Sequence, residues 1–96
     1  MYKDTFFEWD EDKEKVNISK NDISFSEARE AFADPRRIIL KDMKHSDSEN
    51  RMYCIGSVKK RILMVRFVKR NNRIRIFGAG TWRQAKSSYE QKNKLS

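Results

Sequence analysis

Val65-Arg66-Phe67-Val68-Lys69-Arg70-Asn71-Asn72-Arg73-Ile74-Arg75-Ile76-Phe77-Gly78 is the stretch that decides the fold. Two apolar-rich runs flank an Asn-Asn pair. Asparagine tolerates the positive φ angles that a two-residue hairpin turn needs, so the runs pair as antiparallel strands. Upstream, Arg51–Val58 and Arg61–Lys69 stand in the same relation about Lys59-Lys60, and Arg36–Asp42 precedes them across a polar loop. The pattern predicts a four-stranded antiparallel meander: Arg36–Asp42, Arg51–Val58, Arg61–Lys69 and Arg73–Ala79.

Outside the meander the periodicity changes. Asp10 is a good N-cap for a helix over about Glu11–Lys20, in which only Val16 and Ile18 are apolar. That helix rests on the core through a narrow edge and the stems of its lysines. Ser24 or Ser26 can cap a second helix over about 25–33, where Phe25, Ala28, Ala31 and Phe32 share a face, and Asp34-Pro35 stops it. The lead Met1–Trp9 reads as an edge strand or as a staple for the first helix. Gly78 and Gly80 read as a flexible elbow, followed by a tail helix over Thr81–Leu95 capped by Thr81. The expected fold is α+β in one domain, residues 1–96, with two N-terminal helices, the four-stranded sheet and a C-terminal helix.

Strand parity assigns faces. With two-residue turns, Val58 pairs with Arg61 and Arg70 with Arg73. Tyr53 then lies opposite Arg66, and Arg66 opposite Phe77. Arg51, Tyr53, Arg66, Arg75 and Phe77 fall on one face, with Ile55, Ile62, Met64 and Val68. The other face carries Met52, Cys54, Val58, Leu63, Val65, Phe67, Ile74 and Ile76 and packs on the helices. Arginines on a sheet are solvated, paired with an acid such as Asp42, Glu49 or Glu90, or held for an anion.

The charge is +8 overall and uneven. Asp4, Glu8, Asp10, Glu11 and Asp12 crowd the N-terminus, whereas 59–86 contains Lys and Arg and no acid. A localised basic face attracts phosphate backbones or an acidic protein. Cys54 is the single cysteine and His45 the single histidine, which excludes an intramolecular disulfide and any Cys/His metal site. Gly78-Ala79-Gly80 lacks the Lys-Ser/Thr of a phosphate-binding loop. No cofactor is implied. No apolar run approaches the ~18 residues of a membrane span, and the acidic, aromatic N-terminus is no secretory signal, so a cytoplasmic protein is expected.

Short pieces in order carry a family likeness. They are Phe7-Glu8-Trp9-Asp10-Glu11-Asp12-Lys13 with Asn17 and Lys20; Ile23-Ser24-Phe25, Glu27-Ala28, Phe32 and Asp34-Pro35; and His45-Ser46, Arg51 and Ile55-Gly56. Arg75-Ile76-Phe77-Gly78-Ala79-Gly80, Trp82-Arg83 and Tyr89-Glu90 close the series. Over about residues 6–91 the sequence resembles the BrnT toxins of bacterial type II toxin–antitoxin systems. Where many members have Lys-His-Gly, this chain has Lys20-Asn21-Asp22. Where many have Ser-Ala-Arg, it has Gly78-Ala79-Gly80.

The resemblance implies a RelE-like fold and RNA cleavage that stops translation. It also implies a DNA-binding, BrnA-like antitoxin as partner, in a heterotetramer that represses its own operon. Metal-free cleavage needs a base for the 2′-hydroxyl, an acid for the leaving 5′-oxygen and cations for the phosphorane. On that reading Arg66 and Arg75 stabilise the phosphate, and His45 or Lys20 moves the proton, with Tyr53 as a further candidate. Arg51, Arg83 and Lys86 hold RNA, and Trp82 stacks on a base. Each also has a plainer reading: His45 as a surface histidine, Lys20 as a helix-end lysine, Tyr53 as a half-buried sheet residue, Trp82 as a helix anchor, and Arg83 and Lys86 as a solvated helix face. The rival functions are a non-catalytic nucleic-acid-binding module and a partner-binding protein whose basic face serves an acidic antitoxin segment.

Overall fold

The computed structural model describes residues 1–44 and 50–94. The meander forms as expected: β3 (Ile38–Lys41), β4 (Arg51–Val58), β5 (Arg61–Arg70) and β6 (Arg73–Gly80). Val58 pairs with Arg61, Arg70 with Arg73 and Tyr53 with Arg66. Lys59, Lys60, Asn71 and Asn72 all take positive φ, the conformation that both central residues of such turns require.

The sheet has six strands, not four. The lead contributes β1 (Tyr2–Lys3) and β2 (Phe7–Trp9), and the order is β1-β2-β6-β5-β4-β3. Strand β2 runs parallel to β6, with Phe7, Glu8 and Trp9 beside Ile74, Arg75 and Ile76. Strands of two and three residues are too short to show an alternating pattern. Their pairing is also with residues far along the chain, so no local signal announces it. Asp4 fixes the turn between them by accepting from the Phe6 and Phe7 amides at 2.9 and 2.7 Å. Those bonds and that of the Tyr2 hydroxyl hold its carboxyl down at about 2.

The apolar face packs as parity requires. Cys54, Leu63, Val65, Phe67 and Ile76 meet Trp9, Ile23, Phe25, Ala28 and Ala31 in one core. Fully burying a side chain such as Phe67 or Leu63 contributes about 1.5–3 kcal/mol. Burial also pushes the Cys54 thiol up to about 12, so it is inert filling. The second helical segment splits into α2 (Phe25–Ala28), capped by Ser24 on the Glu27 amide, and a 3-10 turn, Arg29–Ala33. That turn lies directly on β4. A Cβ at Gly56 would stand 2.5 Å from the Ala31 carbonyl oxygen, so only glycine permits the approach.

Helix α1 (Glu11–Asn21), capped by Asp10, is held differently from the expectation. Val16 and Ile18 are 53% and 43% exposed, so they do not anchor it; its buried residue is Asn17. The Asn17 amide donates to the Ile23 carbonyl at 2.9 Å and accepts from the Ala79 amide at 3.1 Å. Asn21 donates to the Ala79 carbonyl at 3.1 Å. Two side chains of α1 thus pair with the edge of β6 beyond the point where the short β2 ends.

The mixed face is covered at its apolar end by α3 (Arg83–Lys92), whose Ala85 and Tyr89 pack with Ile38, Ile55, Ile62 and Met64. Residue Trp82, not Thr81, occupies the N-cap position, and no side chain caps the helix. Asp34 joins three elements: it accepts from the Ser57 amide (2.8 Å), the Tyr89 hydroxyl (2.6 Å) and the Arg36 amide (2.9 Å). Burial opposes its ionisation, but these bonds outweigh that and hold its carboxyl below the usual range. The same contact works in reverse on Tyr89, which burial and Asp34 push up to about 12.

Candidate functional site

The glycine elbow does not exist. Strand β6 continues through Gly80, and no glycine takes positive φ. The two glycines instead make room. A Cβ at Gly78 would stand 2.8–2.9 Å from the Arg66 guanidinium nitrogens, so the guanidinium lies flat across the strand there. A Cβ at Gly80 would stand 2.6 Å from the Trp82 ring, which lies over the strand in the same way.

A bulge sets the first of these contacts. Phe67 pairs with Ile76 and Arg66 with Gly78, leaving Phe77 as the extra residue, where an unbroken ladder would put Phe77 opposite Arg66. Bulges re-aim side chains and sharpen twist. Here the bulge presents Phe77 beside two arginines. The Arg51 and Arg66 guanidinium carbons stand 5.4 and 5.6 Å from its ring centroid, within cation–π range.

Between α1 and this part of β6 lies a groove of about 310 Å³ lined by Asp12, Lys13, Val16, Asn17, Lys20, Asn21, Arg66 and Phe77. Three cations face one carboxylate. Among the described residues, no ion pair joins Arg66 to a carboxylate. Such a groove attracts a phosphate and offers both point charge, from the lysines, and planar donors, from Arg66.

The structure brings Lys20, Arg66 and Arg51 together around Phe77. It places Tyr53 next to them, opposite Arg66, but turned to a different neighbour. Its hydroxyl is hydrogen-bonded to Asp42, and burial first, then this bond, raises its pKa above the ordinary tyrosine value. Arg75 stands in an ion pair with Glu8 at 2.8 Å, across the β2–β6 pair. Both side chains are largely buried, at 16% and 11% exposure. That partner, Glu8, came from the short strand that periodicity does not reveal. Arg83 and Lys86 line a separate hollow of about 350 Å³ with Lys60, Arg61 and Trp82, beyond the far end of β6. Arg75 and Gly80 are five residues apart on one strand, about 16 Å, so Arg75 and Arg83 do not converge. His45 lies outside the described residues.

Parity puts Phe77 on this face but does not mark it as the centre of the cluster. The sequence pattern does not single out Asn17 and Asn21 as site residues. Their signal was two asparagines four apart on a helix with hardly any apolar surface, a spacing that puts both on one side.

A family model described as the ribonuclease toxin, BrnT, of type II toxin–antitoxin systems matches residues 9–86. The chain belongs to the BrnT family. No curated protein matches it in sequence. Membership implies RNA as the substrate and an antitoxin as the partner. The BrnT match spans α1, the whole meander and the first turn of α3, so the cationic groove and the Arg66–Gly78 contact lie inside it. Within the match, Asp22 takes φ 57°, the left-handed conformation that glycine adopts most easily. Among the described residues no helix is long and apolar enough to cross a membrane, and no three His, Cys, Asp or Glu side chains gather as metal ligands would.

Proposed function

We propose that this BrnT chain is an endoribonuclease, RelE-like in fold, that cleaves RNA without a metal ion in the α1–β6 groove and so inhibits translation. The observation that carries the reading is the Arg66 guanidinium, laid across Gly78 in a groove it shares with Lys20 and Phe77. Among the described residues no ion pair neutralises this cation, which stands where a phosphate can enter and where a glycine makes room for it.

In the reaction the ribose 2′-oxygen attacks the phosphorus, the P–O5′ bond breaks, and a 2′,3′-cyclic phosphate and a 5′-hydroxyl result. Arg66 stabilises the charge that builds on the phosphorane oxygens. Lys20 gives a proton to the leaving 5′-oxygen. Tyr53, with its raised pKa, keeps its proton near neutral pH and acts as a donor, not a base. His45 is the remaining candidate to take the 2′-hydroxyl proton. Phe77 with Arg51 receives a base, and Trp82, Arg83 and Lys86 form a second basic ledge for the RNA backbone. Arg75, bound to Glu8, holds β2 on β6 without touching phosphate. A BrnA-like DNA-binding antitoxin neutralises the toxin in a heterotetramer.

The test is purified protein with RNA in excess chelator. Cleavage that leaves cyclic phosphate ends and falls about 100-fold or more in Arg66→Ala, with an unchanged unfolding midpoint, supports the reading. Growth arrest on induction with no RNA cut sinks it.

A further inference from the structure

On the α3 side of the sheet lies a larger and chemically different groove, about 610 Å³, between the ends of β3 and β4 and the first turn of α3. Its floor is Tyr53, Ile55 and Met64, and its walls are Leu40, Met43 and Trp82. The wall residues are unusually bare: Leu40, Met43 and Trp82 are 44%, 79% and 41% exposed. Apolar side chains gathered this way around a hollow mark a contact surface. Lys41, Lys44 and Arg83 stand at the rim. The one carboxylate among the groove's described residues, Asp42, is buried and bonded to Tyr53 and the Lys44 amide, so the described rim is cationic. The groove also abuts β3, the last strand of the sheet, whose outer side pairs with no strand among the described residues.

We propose that this groove docks an acidic, amphipathic segment of the antitoxin, and that the occupant reaches far enough to deny RNA access to Arg66. This rests on the ribonuclease-toxin reading above. The apolar floor suits a protein side-chain face better than a phosphate backbone, which meets cations only at the rim. The cationic rim selects acids. It also disfavours a second copy of this chain, which would bring a further +8 charge against Lys41, Lys44 and Arg83. Neutralisation follows from adjacency. Tyr53 and Arg66 are direct cross-strand partners on one face, so a segment seated on Tyr53 stands beside the cationic groove.

The experiment uses the full chain and the antitoxin encoded beside it, measuring binding by calorimetry and RNA cleavage with and without that antitoxin. Leu40→Glu puts a like charge where an acidic, apolar face must sit, at an exposed position on an edge strand. It should weaken antitoxin binding about 100-fold and leave cleavage by the free toxin unchanged, so that the variant cuts RNA in the antitoxin's presence. The double reversal Lys41→Glu/Lys44→Glu tests the rim separately and should cost about tenfold in affinity, more at low salt than at high. Wild-type antitoxin affinity in both variants overturns the proposal. So does loss of RNA affinity in Leu40→Glu with antitoxin binding kept, which would make the groove an RNA site. A wild-type protein that binds the antitoxin but cuts no RNA refutes the ribonuclease reading while leaving the docking groove to be judged by the binding of the variants.

Discussion

The two grooves at the open end of the sheet are built by opposite means. The α1–β6 groove is assembled from polar parts: Asn17 and Asn21 pair with Ala79, a bulge turns Phe77 outward, and Arg66 lies over Gly78. The groove beside α3 is assembled from apolar parts, Leu40, Ile55, Met64 and Trp82, with charge only at the rim. A polar clamp fixes a backbone position to within a hydrogen-bond length, which suits a site where a guanidinium must meet a phosphate. An apolar groove fixes little and accepts a partner's side chains with tolerance, which suits docking. The difference separates a groove suited to chemistry from one suited to docking.

The largest expected effect breaks that comparison at Arg66. Arg66→Ala should lower RNA cleavage in chelator by about 100- to 1,000-fold, measured at single turnover, with thermal stability unchanged because the side chain lies on the surface of the sheet. Gly78→Ala is a finer probe of the same point. Its Cβ meets only the movable end of Arg66, so stability should hold while cleavage falls about tenfold as the guanidinium is displaced. Gly56→Ala is the counterpart in the core. There the obstacle is the Ala31 backbone, and unfolding should become easier by about 2 kcal/mol or more.

The polar clamp can be tested apart from the chemistry. Asn17→Leu leaves the Ala79 amide and the Ile23 carbonyl without their partners and should cost about 2–3 kcal/mol, read from denaturant midpoints. Val16→Ala, one residue away but exposed, should stay within about 0.5 kcal/mol.

The smallest effect is a pH dependence. Asp34 titrates below its ordinary 3.8 in the folded chain, so its contribution is present above that pH and fades as the pH falls through the folded value. Asp34→Asn should flatten the acid limb of the stability curve below about pH 4, while Asp4, held near 2, continues to lose its contribution further down.

Much of this was legible in the residues. Turn chemistry at Lys59-Lys60 and Asn71-Asn72 fixed the meander register, and parity put Arg51, Tyr53, Arg66 and Arg75 on one face. Four things were hidden. Strand β2 is three residues long and pairs with a segment more than sixty residues away, so Glu8 could not be named as the partner of Arg75. A single-residue bulge shifts Phe77 and leaves no mark in an alternating pattern. The glycines read as hinges because composition does not distinguish a residue that must bend from one that must be flat; only the side chains lying over Gly78 and Gly80 do so. Helix α1 misled in the same way, since its few apolar residues point outward and its asparagines do the holding.

The measurement that bears most directly on the division of labour between the grooves is single-turnover RNA cleavage in chelator by wild type, Arg66→Ala and Leu40→Glu side by side. The account predicts a rate reduced about 100-fold or more for Arg66→Ala and a wild-type rate for Leu40→Glu. Cleavage by Arg66→Ala at the wild-type rate would contradict it.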